Sequence, residues 1–197
     1  MAESFAAPPL VAALRREMGR REAADEFRAA GVGRGAQRAE RPDIRGDRIA
    51  WLDEWALSPP ERTLWDALEG LRLEINRAAL LGLFSLEAHY ATYPAGASYR
   101  RHRDRFRDDD ARVLSWILYL NEGWDPADGG ALRIHVSEDE TRDVLPAGGT
   151  LACFLSERFE HEVLPARRER VSVAGWFRRR TRPGTGREQA AADARGA

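Results

Sequence analysis

Residues 83–96 read LFSLEAHYATYPAG, a strand-like run that ends in a turn signal. The same alternation of strand-like runs and turns recurs to residue 177, with no helical period between them. The runs are, in chain order, Leu83–Tyr93, Ser98–His102, Arg112–Leu120, Ala131–Val136, Arg142–Leu145, Thr150–Leu155, His161–Leu164 and Arg170–Phe177. Eight short strands with turns between them predict an antiparallel sandwich or barrel.

Two helical stretches precede the strands. Leu10–Ala30 has an amphipathic pattern, and Ser58 followed by Pro59 and Pro60 is typical of the start of a helix, which should run to about residue 80. A short strand is expected at Ile49–Trp51 between them. Because the helices come before the strands, we expect them to pack on one outer face of an α+β fold.

The chain divides into four predicted segments. Residues 1–30 form an N-terminal helical segment, and residues 31–48, rich in Gly and Arg with Pro42, form an irregular mobile loop. Residues 49–180 form the main domain, with a barrel core at about 83–180. Residues 181–197 are polar and rich in Gly and Ala, which predicts a disordered tail.

Composition excludes several classes of function. The 197 residues carry 31 basic side chains, all arginine, against 32 acidic ones, so the net charge of -1 gives no sign of nucleic-acid or membrane binding. The absence of lysine removes a Schiff-base or P-loop lysine. A single cysteine, Cys153, excludes an internal disulfide and a cysteine-rich zinc site. With no signal-peptide pattern at the start, we expect a cytoplasmic protein.

A metal site is predicted at His102, Asp104 and His161. Side chains two apart on a strand point the same way, so His102 and Asp104 can bind one ion while Arg103 faces away. His161, which opens a distant strand, is the best third ligand. Two histidines and one carboxylate form the facial triad of non-haem Fe(II) oxygenases, although imidazole also suits Zn, Cu and Ni. The simpler alternative is that the His-x-Asp pattern arises by chance and that the histidine is an ordinary half-buried polar residue.

Arg170 favours the oxygenase interpretation. It lies on the strand after His161, where an arginine could hold a carboxylate of a co-substrate deep in the barrel. Taken alone, Arg170 is explained better as a surface charge in the basic run Arg167–Arg170. Tyr119 could be a plain core tyrosine or a second donor to that carboxylate. His135 and His89 are each interpreted as polar-face histidines rather than further ligands.

The sequence resembles the prolyl 4-hydroxylase superfamily, nearest to the hypoxia-sensing prolyl hydroxylases of animals and their bacterial relatives. The resemblance covers about residues 30–180, with its segments in the family's order and at closely similar spacing. These segments are Asp43–Trp51, Tyr93–Pro94 with Tyr99–Asp104, Ile117–Asp125, Gly129–Ile134, and His161–Val163 with Arg170 and Trp176–Phe177.

The resemblance implies a double-stranded β-helix (jelly-roll) core with the N-terminal helices packed on one face. It implies Fe(II) bound by the three predicted ligands, 2-oxoglutarate and O2 as co-substrates, and ascorbate as reductant. Arg170 and Tyr119 would bind the distal carboxylate of 2-oxoglutarate, and Tyr93 would lie near its iron-chelating end. Residues 31–48 would cover the bound substrate. Expected substrate contacts are Arg34, Arg45, Arg112 and Trp176.

The implied reaction is hydroxylation of a prolyl residue in a protein, coupled to decarboxylation of 2-oxoglutarate to succinate and CO2. A translation factor is a candidate substrate, and no membrane or nucleic-acid partner is expected. Four alternatives stay open: a small-molecule oxygenase, a nucleic-acid dealkylase, a non-catalytic sensor of 2-oxoglutarate or iron, and a cupin-type zinc enzyme. The run Arg170–Val173 lacks the second arginine of a dealkylase, and a zinc enzyme would leave Arg170 and Tyr119 without a purpose.

Overall fold

The computed structural model of the protein describes residues 1–32, 39–104 and 111–180. Its helices are α1 (Pro8–Ala23) and α2 (Pro59–Ala79). Its strands are β1 (Arg28–Ala29), β2 (Gly31–Val32), β3 (Ala39–Glu40), β4 (Arg48–Trp51), β5 (Leu83–Tyr93), β6 (Tyr99–His102), β7 (Arg112–Tyr119), β8 (Leu132–His135), β9 (Thr141–Val144), β10 (Leu151–Leu155), β11 (Glu160–Val163) and β12 (Arg170–Arg179). No helix in these three ranges is long and apolar enough to cross a membrane.

Ten of the twelve strands form two sheets that face each other. The large sheet has the order β1-β4-β5-β12-β7-β10, and the small sheet has the order β6-β11-β8-β9. Neighbouring strands in both are antiparallel. This is the double-stranded β-helix, with the helices packed on one face, that the resemblance implied.

Strand β5 shows how the sequence separates the two cores. Successive side chains of a strand point to opposite faces of the sheet. Ala88 and Tyr90 therefore face the helices and join the core cluster built with α1 and α2. Ala91 and Tyr93 face the small sheet and join the second cluster with Leu132, Phe154 and Val163 among others. The space between the sheets is thus lined by one alternate set of side chains from each strand.

Helices α1 and α2 are tied together by a buried charge. The carboxylate of Glu61 accepts the backbone N–H of Ser58 at 2.8 Å, which caps the first turn of α2. The same carboxylate accepts two hydrogen bonds from the Arg21 guanidinium in α1, at 2.8 and 3.1 Å. Glu61 is fully buried, so loss of Arg21 would leave an uncompensated charge beneath the large sheet.

The eight strand-like runs correspond to β5 through β12, and the short strand predicted at Ile49–Trp51 is β4. The first helix is shorter than predicted, since it ends at Ala23 rather than Ala30. Asp25 takes a left-handed backbone with φ 56°, which ends the helix, and the chain then enters β1 beside β4. Local periodicity could not show this, because residues 28–29 form sheet hydrogen bonds with residues 48–49, which are distant in the sequence.

The segment 31–48 is not wholly irregular. Strand β2 pairs with β3, so the described ends of the segment form a short antiparallel ladder. Its predicted mobility stays a prediction. Arg34 and the predicted disordered tail, residues 181–197, lie outside the described residues.

Gly175 in β12 is expected to tolerate no side chain. A Cβ there would overlap the carbonyl oxygen of Glu87 and lie 2.5 Å from Cζ2 of Trp116, whose indole covers the glycine. Overpacking of this kind costs roughly 1–3 kcal/mol. We expect Gly175→Ala to lower the free energy of unfolding by at least that amount, measured by urea denaturation.

Gly70 in α2 is the matched control, because a Cβ there would meet nothing within 4 Å. Alanine in a helix interior is more stable than glycine by roughly 0.5–1 kcal/mol. Gly70→Ala should therefore stabilise the protein. Equal effects of the two substitutions would contradict the packing described for Gly175.

Candidate metal centre and active site

The structure brings the three predicted ligands together between the two sheets. His102 ends β6, His161 lies on β11 directly opposite it in the ladder, and Asp104 follows β6. Nε2 of His102 is 3.5 Å from Oδ1 of Asp104, and Nε2 of His161 is 3.5 Å from Oδ2. One ligand atom from each residue lies within 4.8 Å of the others. Cis ligands of an ion with bonds of about 2.1 Å lie about 3 Å apart, so the donor set suits one metal ion.

Contacts around the triad orient its donor atoms. Nδ1 of His102 lies 2.7 Å from the Arg100 carbonyl oxygen, which leaves Nε2 directed to the site. Asp104 accepts a hydrogen bond of 2.6 Å from the Ser115 hydroxyl, which in turn lies 2.9 Å from the Ser156 hydroxyl. Such outer partners fix the orientation of metal ligands.

The electrostatics of the triad favour the forms that bind a metal. Burial alone would raise the pKa of the Asp104 carboxyl, but the neighbouring histidines and Ser115 lower it far below its usual range. Burial lowers the pKa of the His161 imidazole to about 4, against the opposing effect of Asp104. At neutral pH the site therefore presents an ionised carboxylate and a neutral His161, as metal ligation requires.

Arg170 is a buried cation in the same cavity. It is 2% exposed, and its Nε has no hydrogen-bond partner among the described residues. The guanidinium carbon lies 5.0 Å from the ring centre of Tyr119 and 5.1 Å from that of Tyr93. Its NH2 lies 3.5 Å from the Tyr119 hydroxyl. No carboxylate in the described part of the chain pairs with Arg170, so the position suits a carboxylate that arrives with a ligand.

Comparison with known proteins identifies this arrangement. The sequence profile of the 2OG-Fe(II) oxygenase superfamily matches residues 88–178. The crystal structure of a prolyl-4-hydroxylase from Pseudomonas putida is similar over 91% of both chains, with 47% identity and a TM-score of 0.82. The chain belongs to the 2OG-Fe(II) oxygenase superfamily. Its members use Fe(II), 2-oxoglutarate and O2, and ascorbate is typical of them.

Other relatives of this oxygenase are also prolyl hydroxylases. Egl nine homolog 1 from Homo sapiens is 34% identical over 68% of this chain. A prolyl hydroxylase from Trichoplax adhaerens, solved with a peptide fragment of hypoxia inducible factor, matches 90% of this chain and 81% of its own, with 26% identity and a TM-score of 0.78. The chain spans 33% of the length of the human relative.

Two of the predicted substrate residues of this oxygenase, Arg45 and Arg112, are held in ion pairs. Arg45 donates to both oxygens of buried Asp47 at 2.7 and 3.0 Å. Arg112 donates to Glu87 at 2.9 Å, and its guanidinium carbon lies 3.5 Å from the ring centre of Trp176. Arg45 and Trp176 line the cavity of the triad. Arg112 is held against the Trp176 ring.

Several residues of the site were missed in the sequence. Asp47 lines the cavity and is nearly fully buried, and Ser115 and Ser156 support Asp104. Ser115 could have been found from the sequence. It lies four residues before Tyr119 in an apolar strand, so both side chains point to the face that lines the cavity. His89 was interpreted as a polar-face histidine, but it is buried and lines the cavity of the site.

Proposed function

We propose that this oxygenase hydroxylates a prolyl residue in a protein or peptide. One observation carries the proposal: a His-Asp-His triad lines one cavity with a buried arginine that no carboxylate of the described residues pairs with. The Pseudomonas putida relative, similar over nearly the whole chain, supports the prolyl substrate. A small-molecule oxygenase and a non-catalytic sensor would need the same triad and arginine, so turnover and product decide among the three.

The proposed roles follow from position. The triad would hold Fe(II), which with 2-oxoglutarate and O2 supplies the oxidising chemistry, with succinate and CO2 as co-products. Arg170 would bind the distal carboxylate of 2-oxoglutarate through its planar fork. Tyr119 would donate a hydrogen bond to the same carboxylate. Burial raises the pKa of both the Tyr119 and the Tyr93 hydroxyl, so both stay neutral donors.

The substrate would enter past the aromatic side chains at the mouth. Trp51 is 49% exposed and lies 6.4 Å, centre to centre, from buried Trp176, so an indole wall leads inwards. Residues 31–48, with Arg34, are proposed to cover the bound substrate. A translation factor is the proposed protein partner, and the cytoplasm is the proposed compartment. The peptide in the Trichoplax adhaerens complex supports a polypeptide substrate rather than a small molecule.

Mass spectrometry of hydroxylated proteins tests this function. A bacterial lysate and a purified translation factor would each be incubated with the protein, Fe(II), 2-oxoglutarate, ascorbate and air. We expect prolyl residues that gain the mass of one oxygen atom, and none in a parallel reaction without 2-oxoglutarate. Succinate formation with no hydroxylated prolyl residue would favour the small-molecule oxygenase, and no succinate under any condition would favour the sensor.

A further inference from the structure

His89 is a buried histidine in the cavity that the proposed roles leave unused. It lies in the middle of β5, between Trp51 of β4 and Ala174 of β12 in the two ladders. The imidazole is stacked on Trp176, with ring centres 5.4 Å apart, and tilted against Trp51 at 4.9 Å. Only 3% of the residue is exposed. His89 therefore forms the centre of an aromatic wall that runs from the surface to the interior.

Two polar atoms of this wall are without a hydrogen-bond partner in the described part of the chain. Nδ1 of His89 and Nε1 of Trp176 are both buried, and neither has a hydrogen-bond partner among the described residues. Leaving a buried polar atom without a partner has a free-energy cost. Phenylalanine would give the same stacking without that cost. The nitrogen atoms are therefore explained best by a ligand that brings hydrogen-bonding groups of its own.

His89 is a neutral imidazole. Burial, aided by the charges of Arg45 and Arg112 and opposed by Asp47 and Asp104, lowers the pKa of His89 to about 3. A neutral ring has one N–H donor and one acceptor nitrogen, whereas Trp Nε1 can only donate. A peptide group, with a carbonyl acceptor and an N–H donor, matches this pair. An inorganic anion, by contrast, would favour a cationic imidazole.

We propose that His89 is a specificity-determining residue that hydrogen-bonds the main chain of the substrate beside the prolyl ring entering along Trp51 and Trp176. The inference rests on the proposed prolyl hydroxylation. The indole faces suit the apolar pyrrolidine ring, and the two nitrogen atoms suit the peptide groups that flank it. The contact adds affinity for peptide without touching the pocket of Arg170, so it separates peptide binding from 2-oxoglutarate binding.

Kinetics with a library of short peptides, each with one central proline, test the role of His89. His89→Phe keeps the stack but removes both nitrogen atoms, and His89→Met is closer to histidine in volume. Loss of one neutral hydrogen bond of about 0.5–1.5 kcal/mol corresponds to a rise in the peptide KM of about 2-fold to 10-fold. We expect that rise in both variants, an unchanged KM for 2-oxoglutarate, and a smaller rise in His89→Gln.

Thermal stability separates this role from a structural one. Because His89→Phe removes a buried atom that has no partner, we expect an unchanged or higher Tm. His135→Phe is the matched control, since His135 instead contacts Glu162 at 3.0 Å, and it should leave the peptide KM unchanged. A peptide KM unchanged in both His89 variants, or rising together with the KM for 2-oxoglutarate, would overturn the role of His89 alone. If the wild-type protein hydroxylates no peptide, the proposed function fails and this inference fails with it.

Discussion

His161→Ala is expected to abolish 2-oxoglutarate turnover in a protein that remains folded. His161 supplies one of only three donor atoms that the described residues place around the metal position. Mutation of an outer partner of a metal ligand already costs about 10-fold to 100-fold in metal affinity or activity, so loss of a direct ligand should cost more. The same result is expected for His102→Ala and Asp104→Ala, measured as succinate formed at saturating Fe(II).

His135→Ala is the matched control for the triad variants. His135 lies on the same small sheet, one ladder position from His161, and its imidazole contacts Glu162 rather than Asp104. This variant should keep wild-type turnover and bind one Fe(II). Full turnover in any triad variant would remove that residue from the ligand set.

Arg170→Lys is expected to raise the KM for 2-oxoglutarate by about 10-fold to 100-fold. Lysine keeps the charge but loses the planar fork, and a hydrogen bond to a charged group contributes about 1.5–3 kcal/mol. The measurement is initial rate against 2-oxoglutarate concentration.

Two further variants show whether the effect belongs to this pocket. Tyr119→Phe removes one neutral hydrogen bond, so the KM should rise only about 2-fold to 10-fold. Arg168→Lys alters a half-exposed arginine that contacts backbone carbonyls and Trp124, and should leave the KM unchanged. An unchanged KM in both Arg170→Lys and Tyr119→Phe would remove them from the co-substrate pocket.

The strands of the barrel could be predicted from the sequence because their signals are local. Turn residues separate short apolar runs, and the run Leu83–Tyr93 has the bounds of β5 itself. The end of α1 could not be predicted in this way. Residues 28–29 pair with residues 48–49, and that distant contact, not local periodicity, makes them a strand.

The residues of the site show the same difference between local sequence signals and contacts with distant strands. His102 and Asp104 share a strand end, so their spacing alone predicted a common direction, and the structure places His161 opposite them. The sequence could not show that no carboxylate of the described residues pairs with Arg170, since this depends on which carboxylates the fold places nearby. The burial of His89 was equally hidden, because its neighbours Trp51 and Trp176 come from two other strands.

The most direct test of the account follows the oxygen atom. The protein, Fe(II), 2-oxoglutarate and a proline-containing substrate would be supplied with isotopically heavy O2, and prolyl products and succinate would be weighed by mass spectrometry. We predict heavy oxygen in the prolyl hydroxyl and one succinate formed for each hydroxyl. Consumption of 2-oxoglutarate with no labelled prolyl residue, or a hydroxyl oxygen drawn from water, would contradict it.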